Sequence, residues 1–140
     1  MDEHAIDLEL ETDHQLADEL NATDPVCKFD DTKWPGIYEL HIIKLRSSGV
    51  AIGYCLIALN DCYPEIAKFF ICPQFRRRDL SVAAARRVFS YIEDKHGARY
   101  SLQIRDKVSY QESIWKFWCK ALEGRAATQS DLNFLVGNWY

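Results

Sequence analysis

The hydrophobic pattern changes period several times along the chain, and each change marks an element. From Ala5 to Glu11, Ile6, Leu8 and Leu10 alternate with Asp7, Glu9 and Glu11, a period of two that predicts a half-exposed strand. Asp13 then stands where an N-cap belongs, ahead of a short helix over His14 to Leu20 with Leu16 and Leu20 on one face. Asn21 to Gly36 has no clear period and holds Asp24-Pro25 and Lys33-Trp34-Pro35-Gly36, so it predicts a loop with at most one helical turn. Ile37 to Arg46 and Val50 to Leu59 read as strands joined by a hairpin turn at Ser47-Ser48-Gly49, and Glu65 to Cys72 reads as a third strand.

The period then becomes helical. Ala85, Val88, Phe89 and Ile92 fall on one face of a helix over Ser81 to His96, and Gly97 follows as a stop signal. Tyr100, Leu102 and Ile104 alternate with Ser101, Gln103 and Arg105, a strand reached by a right-handed parallel crossover. Ser109 and Glu112 are spaced as a capping box opening a last helix, whose buried stripe is Ile114, Phe117, Trp118 and Ala121, with Gly124 at its end. Asn133 to Tyr140 reads as one terminal strand. The order β-α-(α)-β-β-β-α-β-α-β predicts a single α/β domain over residues 1–140, a mixed sheet flanked by helices.

The stretch Phe69 to Ile92 organises the rest. A short apolar strand, Phe69-Phe70-Ile71-Cys72, enters a turn carrying Arg76, Arg77 and Arg78 and then feeds a helix N-terminus. The first N–H groups of a helix lack internal partners and its dipole favours negative charge, so this arrangement predicts an anion site. Arginine forks at the turn match phosphate geometry. A solvated basic turn is the plainer alternative.

At these residues the chain resembles the GNAT superfamily of N-acetyltransferases, whose signature at such a turn is Arg/Gln-x-x-Gly-x-Gly/Ala. Here it reads Arg76-Arg77-Arg78-Asp79-Leu80-Ser81, with Asp79 and Ser81 at the two glycine positions. A second family feature, Asn-x-x-Ala-x-x-Phe/Leu-Trp/Tyr, is matched by Gln111 to Trp118, where Phe117-Trp118 fit while Gln111 and Ile114 replace Asn and Ala. The resemblance runs from about Gly49 to Leu122. It implies a GNAT-like domain in which the parallel strands ending near Cys72 and Arg105 splay apart around acetyl-CoA. It further implies transfer of an acetyl group to a primary amine of a small molecule or a protein. The cofactor-binding residues it implies are Phe70 and Ile71 at the thioester carbonyl, and Arg76, Arg77, Arg78, Asp79, Leu80, Ser81 and Val82 at the pyrophosphate. Gln111 and Trp118 would complete the set. The backbone N–H groups of Arg78 to Val82 would serve as donors. The acid–base residues it implies are Glu65 as base, ahead of Glu39, and Tyr110 as acid, because Trp118 stands where many members carry a tyrosine. His41 is a further base candidate, read first as structural. Substitutions at four functional positions also fit a domain that binds CoA or a protein without turnover. Most family members carry two strands at the C-terminus, so a single one implies a tail that is incomplete or is completed by a partner chain, as in a homodimer.

Composition narrows the classes. No run of apolar residues is long enough to span a membrane, and the acidic start is not a secretory signal. The five cysteines, Cys27, Cys55, Cys62, Cys72 and Cys119, contain no C-x-x-C pair and read as packed thiols of a reducing, cytoplasmic compartment, with no metal implied. Cys72 is the best placed of the five for a nucleophile. The net charge of −4 is unevenly split: residues 1–31 carry 11 acids and one base, the remainder 10 acids and 16 bases. A basic part suits an anionic cofactor, and an acidic part suits a cationic acceptor or is a solvated face. The acidic part argues against nucleic acid.

Overall fold

The computed structural model describes residues 7–59, 62–103, 108–130 and 133–137. The chain runs β1 (Leu8–Glu11), α1 (His14–Asn21), β2 (Tyr38–Leu45), β3 (Ala51–Ala58), β4 (Glu65–Ile71), α2 (Arg78–Lys95), β5 (Tyr100–Gln103), α3 (Val108–Ala121), β6 (Ala127–Ser130) and β7 (Asn133–Val136). The strands form one open sheet in the order β1-β2-β3-β4-β5-β7-β6. Strands β1 to β4 are an antiparallel meander, β4 and β5 are parallel, and β7 pairs antiparallel with both β5 and β6.

Strand β3 lies in the middle of the meander and is buried on both faces, which explains why its sequence is a continuous apolar run rather than an alternation. On one face, Ile43, Ile52, Cys55, Ile57 and Ile66 pack against Val88, Phe89 and Ile92 of α2 and Trp118 of α3. On the other, Leu40, Ile42, Tyr54, Leu56 and Phe70 pack against Ala17 of α1 and the loop that follows it. Tyr54 is fully buried, and its hydroxyl donates to Asn21 Oδ1 at 3.0 Å. Helix α1 starts where the pattern places it, because Asp13 accepts a bond from the Leu16 N–H at 3.0 Å.

Three expectations are revised, and a fourth lies partly outside the described residues. Helix α2 begins at Arg78, three residues before Ser81. Helix α3 begins at Val108, so Ser109 sits inside it rather than capping it. The predicted strand through Ile104 and Arg105 is described only to Gln103, and residues 104–107 lie outside the described part. The C-terminus holds two strands, not one: Ala127-Thr128-Gln129-Ser130 pairs with β7 as the sheet edge. Its polar sequence has no apolar alternation to betray it. The sheet therefore does not need a second chain to supply that strand. No helix among the described residues is long and apolar enough to cross a membrane.

Candidate functional site

The parallel pair is short. Strands β4 and β5 are in register only at Glu65↔Ser101 and Ile66↔Leu102. Just beyond, β4 is bulged: Ile66 faces Ile57 and Lys68 faces Leu56, leaving Ala67 as the extra residue. A bulge bends its strand and increases the local twist, and here it occurs where β4 leaves β5. The result is a cleft of about 640 Å³ along Ala67 to Ile71. It opens through the sheet. Cys27, Phe29, Ala67 and Phe70 line it from the α1 face, and Ile66, Phe69, Ile71, Ile114, Phe117 and Trp118 from the face of α2 and α3.

Main-chain direction follows from the ladder. The Cys72 N–H donates to Ile52 O at 2.8 Å, toward β3. Successive residues of a strand alternate in the direction of their main-chain groups, so those of Ile71 and Phe69 turn toward the opening and those of Phe70 toward β3. Of the two positions predicted at a thioester carbonyl, Ile71 brings its main chain to the opening and Phe70 brings its ring. Trp118 is 5% exposed and packs on Phe69 with ring centroids 5.2 Å apart, forming the floor of the cleft.

The far end of β4 leads through a 3-10 turn, Pro73–Phe75, into α2. The N-cap residue Arg77 offers no side-chain cap. The Ser81 N–H is already bonded to Arg77 O at 2.9 Å, so the first-turn donors narrow from Arg78–Val82 to Arg78, Asp79 and Leu80. Ser81 and Val82 line the cleft beside them. Arg77 is exposed, and so is Asp79 in the first turn, where an acid suits the helix dipole.

Arg76 also lines the cleft, but its guanidinium is engaged within the chain. Nε donates to Ile71 O at 2.7 Å, Nη1 to Asp24 Oδ2 at 2.6 Å, and the group lies 5.2 Å over the Phe70 ring. Asp24 is 6% exposed and its Oδ1 accepts from the Cys27 and Val26 N–H groups, both at 2.9 Å. The bond from Cys27, with those from Arg76 and Val26, outweighs burial and holds the Asp24 carboxyl below its ordinary value. Arg76 is thus the clip between the turn and the loop after α1.

That loop is tied at further points. Asn21 Nδ2 donates to Phe29 O at 2.8 Å and its Oδ1 accepts from the Phe29 N–H at 3.0 Å. Lys68 Nζ donates to Asp31 Oδ1 at 2.8 Å and to the Asp31 and Lys33 carbonyls. Thr32 donates to Asp18. Trp34 covers the core on this face and is absent from the cleft wall. Ion pairs also join the acidic segment to the rest of the chain. Asp24 pairs with Arg76, Asp31 with Lys68, Glu11 with Lys44 and Asp7 with Arg46, so part of the acidic segment is matched by the basic remainder of the same chain.

Glu65, Glu39 and His41 are not among the described residues that line the cleft. Glu65 starts β4, six residues before Ile71. Glu39 sits under α2 in a network of its own: it accepts from the Tyr91 hydroxyl, and its oxygens lie 2.8 Å from His41 Nε2 and 2.8 Å from His96 Nε2. Burial raises its carboxyl, but the bonds from Tyr91, His41 and His96 outweigh burial and leave it below its ordinary value. Burial raises the Cys72 thiol and pushes Cys55 up to about 12, which disfavours either as a thiolate. Tyr110 and Gln111 are in the first turn of α3, and their side chains, like that of Arg78, lie outside the described part. Cys27, Phe29, Ser113, Lys116 and Lys120 line the cleft without having been singled out. For the lysines the signal was present, two cations four residues apart on a helix.

No protein-family profile matches the chain, and no curated protein sequence matches it. Solved structures do. A spermidine N-acetyltransferase chimera from Vibrio cholerae matches at a TM-score of 0.64 and 9% identity, over 92% of each chain. Ard1 from Thermoplasma volcanium matches at 0.59 and 17%, over 93% of each chain. A GNAT family acetyltransferase from Elizabethkingia anophelis with acetyl-CoA bound matches at 0.51 and 10%, over 94% of this chain and 95% of that one. At these identities the likeness is one of fold, and by its fold the chain is a GNAT-type α/β domain.

Proposed function

We propose that the chain is an N-acetyltransferase that moves an acetyl group from acetyl-CoA to a primary amine. The observation that carries this reading is the opening of β4 from β5 after Ile66, with the uncapped N-terminus of α2 at its end. The shape suits the cofactor. The volume is that of a small-molecule site, the long wall is apolar and aromatic for a pantetheine arm, and the end carries N–H donors for a diphosphate. On this reading the N–H groups of Arg78, Asp79 and Leu80, with Arg77, hold the diphosphate. The Ile71 N–H meets the thioester carbonyl, and Phe69, Phe117 and Trp118 exclude water from it. Acetyl-CoA supplies the activated acyl group. The amine would approach from the Cys27 and Phe29 side of the sheet. Positioning and exclusion of water supply the rate enhancement. Five free thiols support a reducing compartment such as the cytoplasm.

The test is release of CoA thiol from acetyl-CoA across a panel of amines: polyamines, amino sugars, lysine peptides, peptide α-amines and aromatic amines. Turnover above the uncatalysed rate for one class is the expected result. A second reading, a CoA-binding domain without turnover, is supported by the lining: its titratable described residues are Cys27, Arg76, Lys116 and Lys120, with no carboxylate or imidazole among them. Tight binding of acetyl-CoA with no turnover across the panel would select it.

A further inference from the structure

On the α1 face the cleft has an aromatic wall that is held in place. Phe29 and Phe70 supply its rings, and Cys27 and Ala67 complete it. Phe70 stacks on Tyr54 with ring centroids 5.5 Å apart. Asn21 ties the two rings to one side-chain amide. It accepts from the Tyr54 hydroxyl, and it holds the Phe29 main chain through both Oδ1 and Nδ2. Rings fixed before a ligand arrives lose little freedom when it binds. The charges beside this wall are already engaged. Arg76 lies 5.2 Å over the Phe70 ring and Lys68 Nζ 5.8 Å from the Phe29 centroid, so each ring carries a cation of the chain itself. Asp24 is taken up by Arg76 and the Val26 and Cys27 N–H groups, and Asp31 by Lys68 and the Lys33 N–H. The described charged residues that line the cleft are Arg76, Lys116 and Lys120, all cations. An ammonium group entering here meets aromatic carbon and like charge, and no carboxylate among the described lining to replace its water.

We propose that the acceptor is a small aromatic primary amine of low basicity, bound as the neutral base against Phe29 and Phe70. The inference rests on the proposed acetyl transfer and names its acceptor. A lysine-type amine, with a pKa of about 10.4, is uncharged in roughly one molecule in a thousand at about pH 7.4, and needs a base to free its lone pair. The nitrogen of an aromatic amine is neutral there and needs none. Its lone pair forms the C–N bond at the thioester carbonyl carbon. The C–S bond then breaks, and the sulfur leaves with the electron pair as the CoA thiolate. The nitrogen, made acidic by its new bond, gives its proton to that thiolate, so the products are the N-aryl acetamide and CoA thiol. Such an acceptor suits a cleft whose described lining holds no carboxylate or imidazole.

The experiment measures CoA thiol release by the full chain at saturating acetyl-CoA with four acceptors: 4-methoxyaniline, benzylamine, spermidine and a lysine peptide. Benzylamine carries the same ring on a strongly basic nitrogen. The parent should have its highest kcat/KM with 4-methoxyaniline. Phe29→Ala should raise KM for that amine about tenfold, the scale of one lost aromatic contact, while calorimetry shows CoA bound as by the parent. Phe29→Tyr, which keeps the ring, should retain the parent KM. A higher kcat/KM with benzylamine, spermidine or the lysine peptide would overturn the acceptor assignment and leave the acetyltransferase reading standing. So would a KM for 4-methoxyaniline that Phe29→Ala does not move. Bound CoA with no turnover of any of the four amines would overturn the acetyltransferase reading, and the acceptor assignment with it.

Discussion

Asp79 and Asp24 are single carboxylates placed differently at the turn that leads into α2. Asp79 stands where the signature that this turn resembles has glycine, and its charge sits in the first turn of α2. It stabilises the helix through the dipole and opposes any phosphate bound there. Asp79→Asn should therefore lower stability by about 0.3–1 kcal/mol and tighten CoA severalfold. Urea unfolding and calorimetry check the two halves, and unchanged affinity would show that no phosphate approaches Asp79. Asp24 acts differently, as the buried partner of Arg76 and the cap of the turn through Cys27. Asp24→Ala leaves Arg76 and two N–H groups without their acceptor, a loss of about 1–3 kcal/mol. It should also weaken CoA, because the loop that carries Cys27 and Phe29 is released. At this scale the sequence was only partly legible. The arginine turn could be seen, but the pairing of Arg76 with Asp24 spans 52 residues and has no local signal. That pairing turned a predicted phosphate ligand into a clip.

Strand β4 is the element on which the site depends. Its Ala67 bulge separates it from β5, and its end is held by a close approach to β3: a Cβ at Gly53 would lie 2.0 Å from Phe70 O. Gly53→Ala must push Phe70 and Ile71 away. The expected cost is about 1–3 kcal/mol, with a loss of CoA affinity larger than the fall in stability explains, since the same residues line the cleft. A variant as stable as the parent would contradict this account of β4. The strands were legible because burial dictates their period. Apolar runs identified β3 and β4, and alternation identified β1 and β5. The bulge was not legible, because Ala67-Lys68 breaks no rule of sequence. The early start of α2 was missed because Arg76-Arg77-Arg78-Asp79 reads as a turn until Pro73 to Phe75 is seen to make that turn already.

At the scale of the molecule, the charge split becomes internal complementarity. The acidic segment meets the basic remainder at Asp24, Asp31, Glu11 and Asp7, and this offsets part of its pull on a cationic acceptor. Stability should depend on pH accordingly. The carboxyls of Asp24, Glu39 and Glu93 lie below their ordinary values of 3.8, 4.5 and 4.5 in the folded chain. For Glu93, burial is outweighed by bonds from Arg125 and Tyr100. A carboxyl lowered by folding stabilises fully above its unfolded value, and the contribution is lost as pH falls through the folded value. Urea midpoints should hold from pH 7 to about 5 and fall steeply below about 4. Midpoints that stay level to pH 3 would show that these pairs contribute nothing.

The central claim is that the opening between β4 and β5 receives CoA. The most direct measurement is titration of the 15N-labelled chain with CoA, reading affinity and backbone amide shifts together. The account predicts saturable binding on the order of micromolar, with the largest shifts at Ile71, Arg78, Asp79 and Leu80 and at the Lys116–Lys120 segment. No shift at millimolar CoA in a folded chain, or shifts confined to residues outside the cleft, would contradict it.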